Sequence, residues 1–284
     1  ASTFLKGVLL ASTFLLFPPA SFFAGILADR IGKRRVALLG VALMGLGWAV
    51  CGVGRYLPLW AFGFCVFSIG GGVTEGQTTA LIGEINPRRE RRMINLSQVF
   101  FSVGAVGGPL TLGLMKSQWP ELPLTTRFLW VAVPHLPLAF SFLLMRDVPI
   151  AEHAAGAAEH TALDLFRNRW LLRMMLAILL YVFVEGGTVG WMTIHVHNIW
   201  RVSQARAPVF LSVFWAAVGL SRLLVALIPH HVSTRRILAV SVVLMLAARL
   251  LLFFAPSAGV ALVAAGLIGL GMGSVWPTLV SAVA

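Results

Sequence analysis

Nine runs of chain, most of them at or beyond the roughly 20 apolar residues needed to cross a bilayer, fill this sequence. They cover approximately 8–28, 36–54, 59–84, 93–115, 128–145, 170–199, 208–228, 237–255 and 259–283. Lipid offers backbone N–H and C=O groups no partners. Runs that lack a barrel's alternating pattern can cross it only as helices that satisfy their own hydrogen bonds. Turn signals fall between runs, at Arg55-Tyr56-Leu57-Pro58, Asn86-Pro87, Trp119-Pro120 and Ala255-Pro256-Ser257. Only 11% of the 284 residues are charged, against about 25% in a soluble domain, which argues against a water-soluble enzyme. Cys51 and Cys65 both lie inside apolar runs, so neither a disulfide framework nor a cysteine metal site is indicated. The chain reads as an all-α integral membrane protein.

The net charge of +12 would suggest nucleic acid in a soluble protein. Here the basic residues crowd the short gaps between apolar runs, so the charge reads as topology. One side collects Arg30, Lys33, Arg34, Arg35, Arg88, Arg89, Arg91, Arg92, Arg146, Arg167, Arg169, Arg173, Arg235 and Arg236. The other has Lys6, Arg55, Lys116, Arg127, Arg201 and Arg206. The richer side is expected in the cytoplasm, with residue 1 outside and residue 284 inside. Trp60, Trp119, Trp130, Trp170 and Trp200 sit near run ends, as an interfacial belt should.

The longest interruption, 146–169, contains the small and polar stretch 151–160 and reads as a cytoplasmic linker. It divides an N-terminal bundle, 1–145, from a C-terminal bundle, 170–284. The bundles echo each other. Gly70-Gly71-Gly72-Val73-Thr74-Glu75 overlays Gly269-Leu270-Gly271-Met272-Gly273-Ser274 at an offset of 199, and Lys33-Arg34-Arg35 overlays Thr234-Arg235-Arg236 at 201. Parallel repeats of this kind build one large class of secondary transporters. Carried through, the repeat expects one further helix in front and two behind, so that nine of twelve are present here. The absence of an initiator Met agrees with an internal fragment.

The sharpest local pattern is Gly25-Ile26-Leu27-Ala28-Asp29-Arg30-Ile31-Gly32-Lys33-Arg34-Arg35, which closes the first run and makes its turn. Glycines at 25 and 32 permit close helix approach and a sharp reversal. Asp29 can pair with the basic cluster or cap a neighbouring helix N-terminus. Ordinary positive-inside charge would need the arginines but not the spaced glycines or the Asp.

This segment resembles the signature loop of the major facilitator superfamily, G-x3-D-x2-G-[RK]-[RK], which lies between that family's second and third helices. Further stretches are similar to the fucose–proton symporter and hexose carrier group. Residues 95–109, from Asn95 to Pro109, look like its fifth helix, and Glu75 after Gly70-Gly71-Gly72 sits where that group has a fourth-helix Glu. Residues 181–191, 214–222 and 271–278 resemble its seventh, eighth and tenth helices, with Ser221 where a Gly is commoner. The resemblance implies a major facilitator fold of two pseudo-symmetric helical bundles and a bacterial inner membrane. It also implies a monomer, and a latch at the cytoplasmic gate built from Gly25, Asp29, Arg30, Gly32, Lys33, Arg34 and Arg35.

Ionisable residues inside a membrane are costly and mark function. Of ten acids, only Glu75 and Glu185 fall deep within runs. The resemblance implies proton coupling for Glu75; a carboxyl locked to Gln98 or an Arg is the plainer alternative. Glu185 precedes Gly186-Gly187, which could let its helix break, and is a second coupling candidate unless it pairs with Arg222 or Arg249. Arg222 is near the cytoplasmic end of its run, where its stem could snorkel, and Arg249 is deeper toward the outside. Gln77 and Gln98 are candidates to hydrogen-bond hydroxyls, with Asn95 closer to the cytoplasmic end. Trp191, Trp215 and Trp276 offer an apolar face plus one donor, although bundle packing explains such residues as readily. His195-Val196-His197 does not present two ligands on one helical face, and neither a metal nor a cofactor is expected.

These features together predict a secondary active transporter of a small hydrophilic solute. A monosaccharide moved by proton symport through rocking of two bundles is the expected form. A proton-coupled efflux carrier of amphipathic compounds shares the signature loop and stands as the alternative. A membrane-embedded enzyme or receptor is the remote one, since no nucleophile elbow, phosphate loop or paired catalytic carboxylates occur. Protons, the solute and lipid are the expected partners, not nucleic acid.

Overall fold

The structure, a computed structural model, describes residues 3–85, 87–146, 167–203, 206–228 and 232–282. The stretch 151–160 and His230-His231 lie outside the described residues. The helices are α1 (Thr3–Ile31), α2 (Lys33–Val53), α3 (Leu57–Ile85), α4 (Glu90–Gln118), α5 (Leu124–Ala132) and α6 (His135–Leu144). They continue as α7 (Arg169–Trp200), α8 (Ala207–Leu227), α9 (Thr234–Phe253), α10 (Ala258–Met272) and α11 (Val275–Val280). Seven described stretches are long and apolar enough to cross a membrane, with α5–α6 and α10–α11 each forming one of them. The helices α1 and α4, at 29 residues each, reach about 43 Å at 1.5 Å per residue and complete nine spans among the described residues.

Two spans read from sequence as single helices are broken, each beside a proline. Pro134 separates α5 from α6. In the other, Gly273 and Ser274 separate α10 from α11, four and three residues ahead of Pro277. Proline has no N–H to give the carbonyl four residues earlier and crowds it sterically. The carbonyl that Pro277 leaves without a ladder partner is that of Gly273. Elsewhere helix starts follow local chemistry: Asn168 accepts from the N–H groups of Trp170 at 3.0 Å and Leu171 at 3.2 Å, opening α7. Ser233 and Ser257 cap α9 and α10 in the same way.

By contact the chain groups into two units, 1–82 with 112–158, and 83–111 with 159–284. This division follows packing, whereas the division at the 146–169 linker follows the sequence repeat. In the first unit, α2 carries a buried face of Val36, Ala37, Gly40 and Val41. A Cβ on Gly70 would lie 2.6 Å from the carbonyl oxygen of Gly40 and from the Met44 nitrogen, so α2 and α3 approach backbone to backbone. In the second unit, Phe214, Val218, Ile268 and Met272 are fully buried where α8 meets α10. Gly269 packs against the carbonyl of Phe214, and Gly273 against that of Val218. Small residues permit such contact where lipid removes the hydrophobic drive for helix association.

Candidate functional site

The signature turn is one residue long. α1 ends at Ile31, Gly32 takes φ +90°, and α2 begins at Lys33. That backbone region is nearly closed to residues with a Cβ, which explains the second glycine of the pattern. Gly25 has no such reason, because a Cβ there would meet nothing within 4 Å; the close approach expected at it is absent among the described residues. Arg34 is the basic residue with the clearest task. Its Nε donates to the Phe142 carbonyl at 2.9 Å and its Nη2 to that of Leu143 at 3.1 Å. These are last-turn carbonyls of α6, which want a cation. Asp29, Arg30 and Arg35 are exposed, and Asp29 makes no ion pair among the described residues.

Glu75 lies two-thirds of the way along α3 and is half-buried. Gln77, 3% exposed, keeps its side-chain oxygen buried without a protein partner. Both belong to the first unit. The other sequence candidates, Asn95, Gln98, Glu185, Trp191, Trp215 and Trp276, belong to the second.

The second unit's polar interior is organised by arginines. Arg222, which could have snorkelled from its place near the cytoplasmic end, is 3% exposed. Its Nε donates to the Gly273 carbonyl at 2.9 Å, the group that Pro277 orphans. Its Nη1 donates to the Gln98 carbonyl at 2.9 Å and to Ser102 Oγ at 3.0 Å, and its guanidinium carbon lies 5.3 Å from the Phe101 ring centroid. One side chain thus ties α8 to α10 and α4. Arg249 on α9 donates through Nη2 to Thr188 Oγ1 at 2.6 Å and to Met272 Sδ at 3.7 Å. Glu185 is one turn before Thr188 on α7, and Tyr181 donates its hydroxyl to Glu185 Oε1 at 2.8 Å. Arg222 is close enough to act on Glu185 electrostatically. Gly186-Gly187 could let the helix break but do not, since α7 runs unbroken from Arg169 to Trp200.

Asn95 is fully buried, donates to the Arg91 carbonyl at 2.9 Å, and leaves its own oxygen unpartnered. Trp215 packs edge-on against Phe101 and Phe214, and Trp276 packs against the unit's core. Trp191 is 46% exposed and joins no cluster. His197 Nδ1 is 2.7 Å from the Val202 carbonyl and His195 packs on Trp200. The sequence reading passed over Tyr181, Ser102 and Thr188, and undervalued Arg222. The available signal for Arg222 was Pro277, whose missing N–H advertises a carbonyl in search of a donor.

Long apolar helices with charged side chains held inside a bundle define a polytopic membrane protein. The Major Facilitator Superfamily profile matches residues 1–284, and the chain belongs to that family. An MFS-type efflux transporter, ffsH, of Aspergillus flavipes is 28% identical over 169 residues, covering 58% of this chain and 28% of that protein. The multidrug resistance protein Stp of Mycobacterium tuberculosis is 25% identical over 175 residues, covering 60% and 30%. This chain therefore matches less than a third of the length of either relative. The crystal structure of the fucose:proton symporter FucP of E. coli aligns with TM-score 0.75 at 18% identity, covering 98% of this chain and 76% of that one. That likeness is one of fold.

Proposed function

We propose that this chain is the transport core of a proton-coupled carrier for a small hydrophilic solute of the monosaccharide class, working by alternating access. The observation that carries the reading is the placement of one carboxylate well inside a long span of each unit: Glu75 in the 29-residue α3 and Glu185 in the 32-residue α7. A carboxyl placed within a span can carry a proton across as access alternates between the two sides. Gln77, buried with an unpartnered oxygen two residues from Glu75, supplies an acceptor of the kind a sugar hydroxyl seeks. The resemblance of residues 95–109 and 181–191 to the fucose symporter group supports a sugar.

The names of the two sequence relatives favour a second reading, proton-coupled efflux of amphipathic compounds. Transport in proteoliposomes with an imposed proton gradient separates the two. Gradient-driven accumulation of a radiolabelled hexose, falling at least tenfold in Glu75→Gln, is the expected result. Accumulation unaffected by Glu75→Gln removes that residue from coupling. Gradient-driven expulsion of a lipophilic dye with no hexose movement replaces symport by efflux.

A further inference from the structure

Among the described residues of the second unit, Arg222 and Arg249 stand deepest within their helices, and Glu185 is the carboxylate on which Arg222 acts. Arg249 is held from one side only. Its Nη2 bonds Thr188 and Met272, while its Nε and Nη1 have no partner among the described residues. Arg222 is held by Nε and Nη1, and its Nη2 is likewise without a partner there. Arg249 reaches Met272 and Arg222 reaches Gly273, adjacent residues where α10 ends. Among the described residues the acid beside Arg222 is Glu185, which the Tyr181 hydroxyl already engages at 2.8 Å.

Inside a membrane, guanidinium donors aimed into a bundle need acceptors, and a charge there needs a counter-charge. Two guanidiniums stand against one carboxylate, so the cluster keeps at least one positive charge in excess. We propose that these open donors form a carboxylate-binding subsite, so that the solute is an organic monoanion, such as a sugar acid, held by Arg249 and steadied by Arg222. A carboxylate matches the planar fork of a guanidinium and forms charge-assisted hydrogen bonds. Arg249 is the better direct contact because its Nε and Nη1 donors are open, whereas Arg222 is committed to Gly273, Gln98 and Ser102. The inference rests on the transport reading above and narrows its solute class.

The test is ligand-induced thermal stabilisation of the full-length protein in detergent at constant chloride. Three probes are used: glucose, glucuronate, and benzoate as a carboxylate without hydroxyls. The expected result is that glucuronate binds about tenfold or more tightly than glucose, the range for a charge-assisted hydrogen bond. Arg249→Gln abolishes that preference, and Arg249→Lys, which keeps the charge but loses the fork, retains part of it. The unliganded midpoints of both variants report that each still folds. Binding of benzoate alone, dependent on Arg249, upholds the anion subsite and removes the sugar. Glucose and glucuronate binding equally, or a preference that survives Arg249→Gln, overturns the subsite while leaving the sugar reading intact. Binding of neither carboxylate overturns it as well.

Discussion

The helix α3 and the pair α10–α11 are related by the internal repeat, and they resolve the same local problem in opposite ways. At the offset of 199, Thr74 corresponds to Gly273 and Thr78 to Pro277. In α3 the helix is unbroken, and Thr78 adds a side-chain bond to the Thr74 carbonyl at 2.8 Å. In α10–α11 the proline cannot serve the Gly273 carbonyl, the helix parts at Gly273-Ser274, and Arg222 arrives from 51 residues away to take the free oxygen. A carbonyl satisfied by its own helix makes a stiff rod. A carbonyl satisfied by a neighbouring arginine makes a joint between helices, and it brings a charge into the bundle.

The comparison breaks most readily at Arg222. Arg222→Leu leaves the Gly273 carbonyl without its donor and removes the guanidinium's bonds to the Gln98 carbonyl and Ser102 Oγ. It should cost about 2–4 kcal/mol, read as a fall of roughly 5 °C or more in the unfolding midpoint in detergent. Pro277→Ala restores the missing N–H. Combined with Arg222→Leu it should recover about 1 kcal/mol beyond additivity. Strict additivity would mean that the two residues do not share the Gly273 oxygen.

Next in size are the glycines that the repeat equates. Gly70→Ala and Gly269→Ala both drive a methyl into a backbone carbonyl, of Gly40 and Phe214 respectively. Each should cost about 1–3 kcal/mol. Gly104→Ala, with nothing within 4 Å, should be neutral or stabilising by up to about 1 kcal/mol. Melting curves that rank Gly104→Ala with the other two would deny the close packing. The smallest effect belongs to Thr78→Val, expected to cost about 0.5 kcal/mol or less, because the Thr74 carbonyl keeps its helical partner. A loss as large as that of Arg222→Leu would abolish the contrast between the two regions.

Much of the fold was legible because its causes are local. The span positions follow from the cost of polar groups in lipid, which each residue pays where it stands. The Gly32 turn was legible for the same reason: a backbone at φ +90° excludes residues with a Cβ whatever surrounds it. The breaks within 128–145 and 259–283 were written in Pro134 and Pro277, yet hydropathy averages over single residues and passed across them. Glu185 was found by its depth, while its bond to Tyr181 went unread although the two stand one turn apart on one helix.

The sequence by itself determined an all-α membrane protein of the major facilitator kind, its spans and the glycine turn between α1 and α2. Hydropathy and backbone sterics act over a few residues and need no partner. Only the tertiary structure decided the fate of the arginines. Arg34 was drawn to the end of α6, 108 residues on. Arg222 was drawn inward to α4 and the end of α10 rather than out to the interface, and Arg249 to Thr188. A guanidinium goes where unsatisfied oxygens are, and which oxygens remain unsatisfied is settled only when distant helix ends and breaks are packed together.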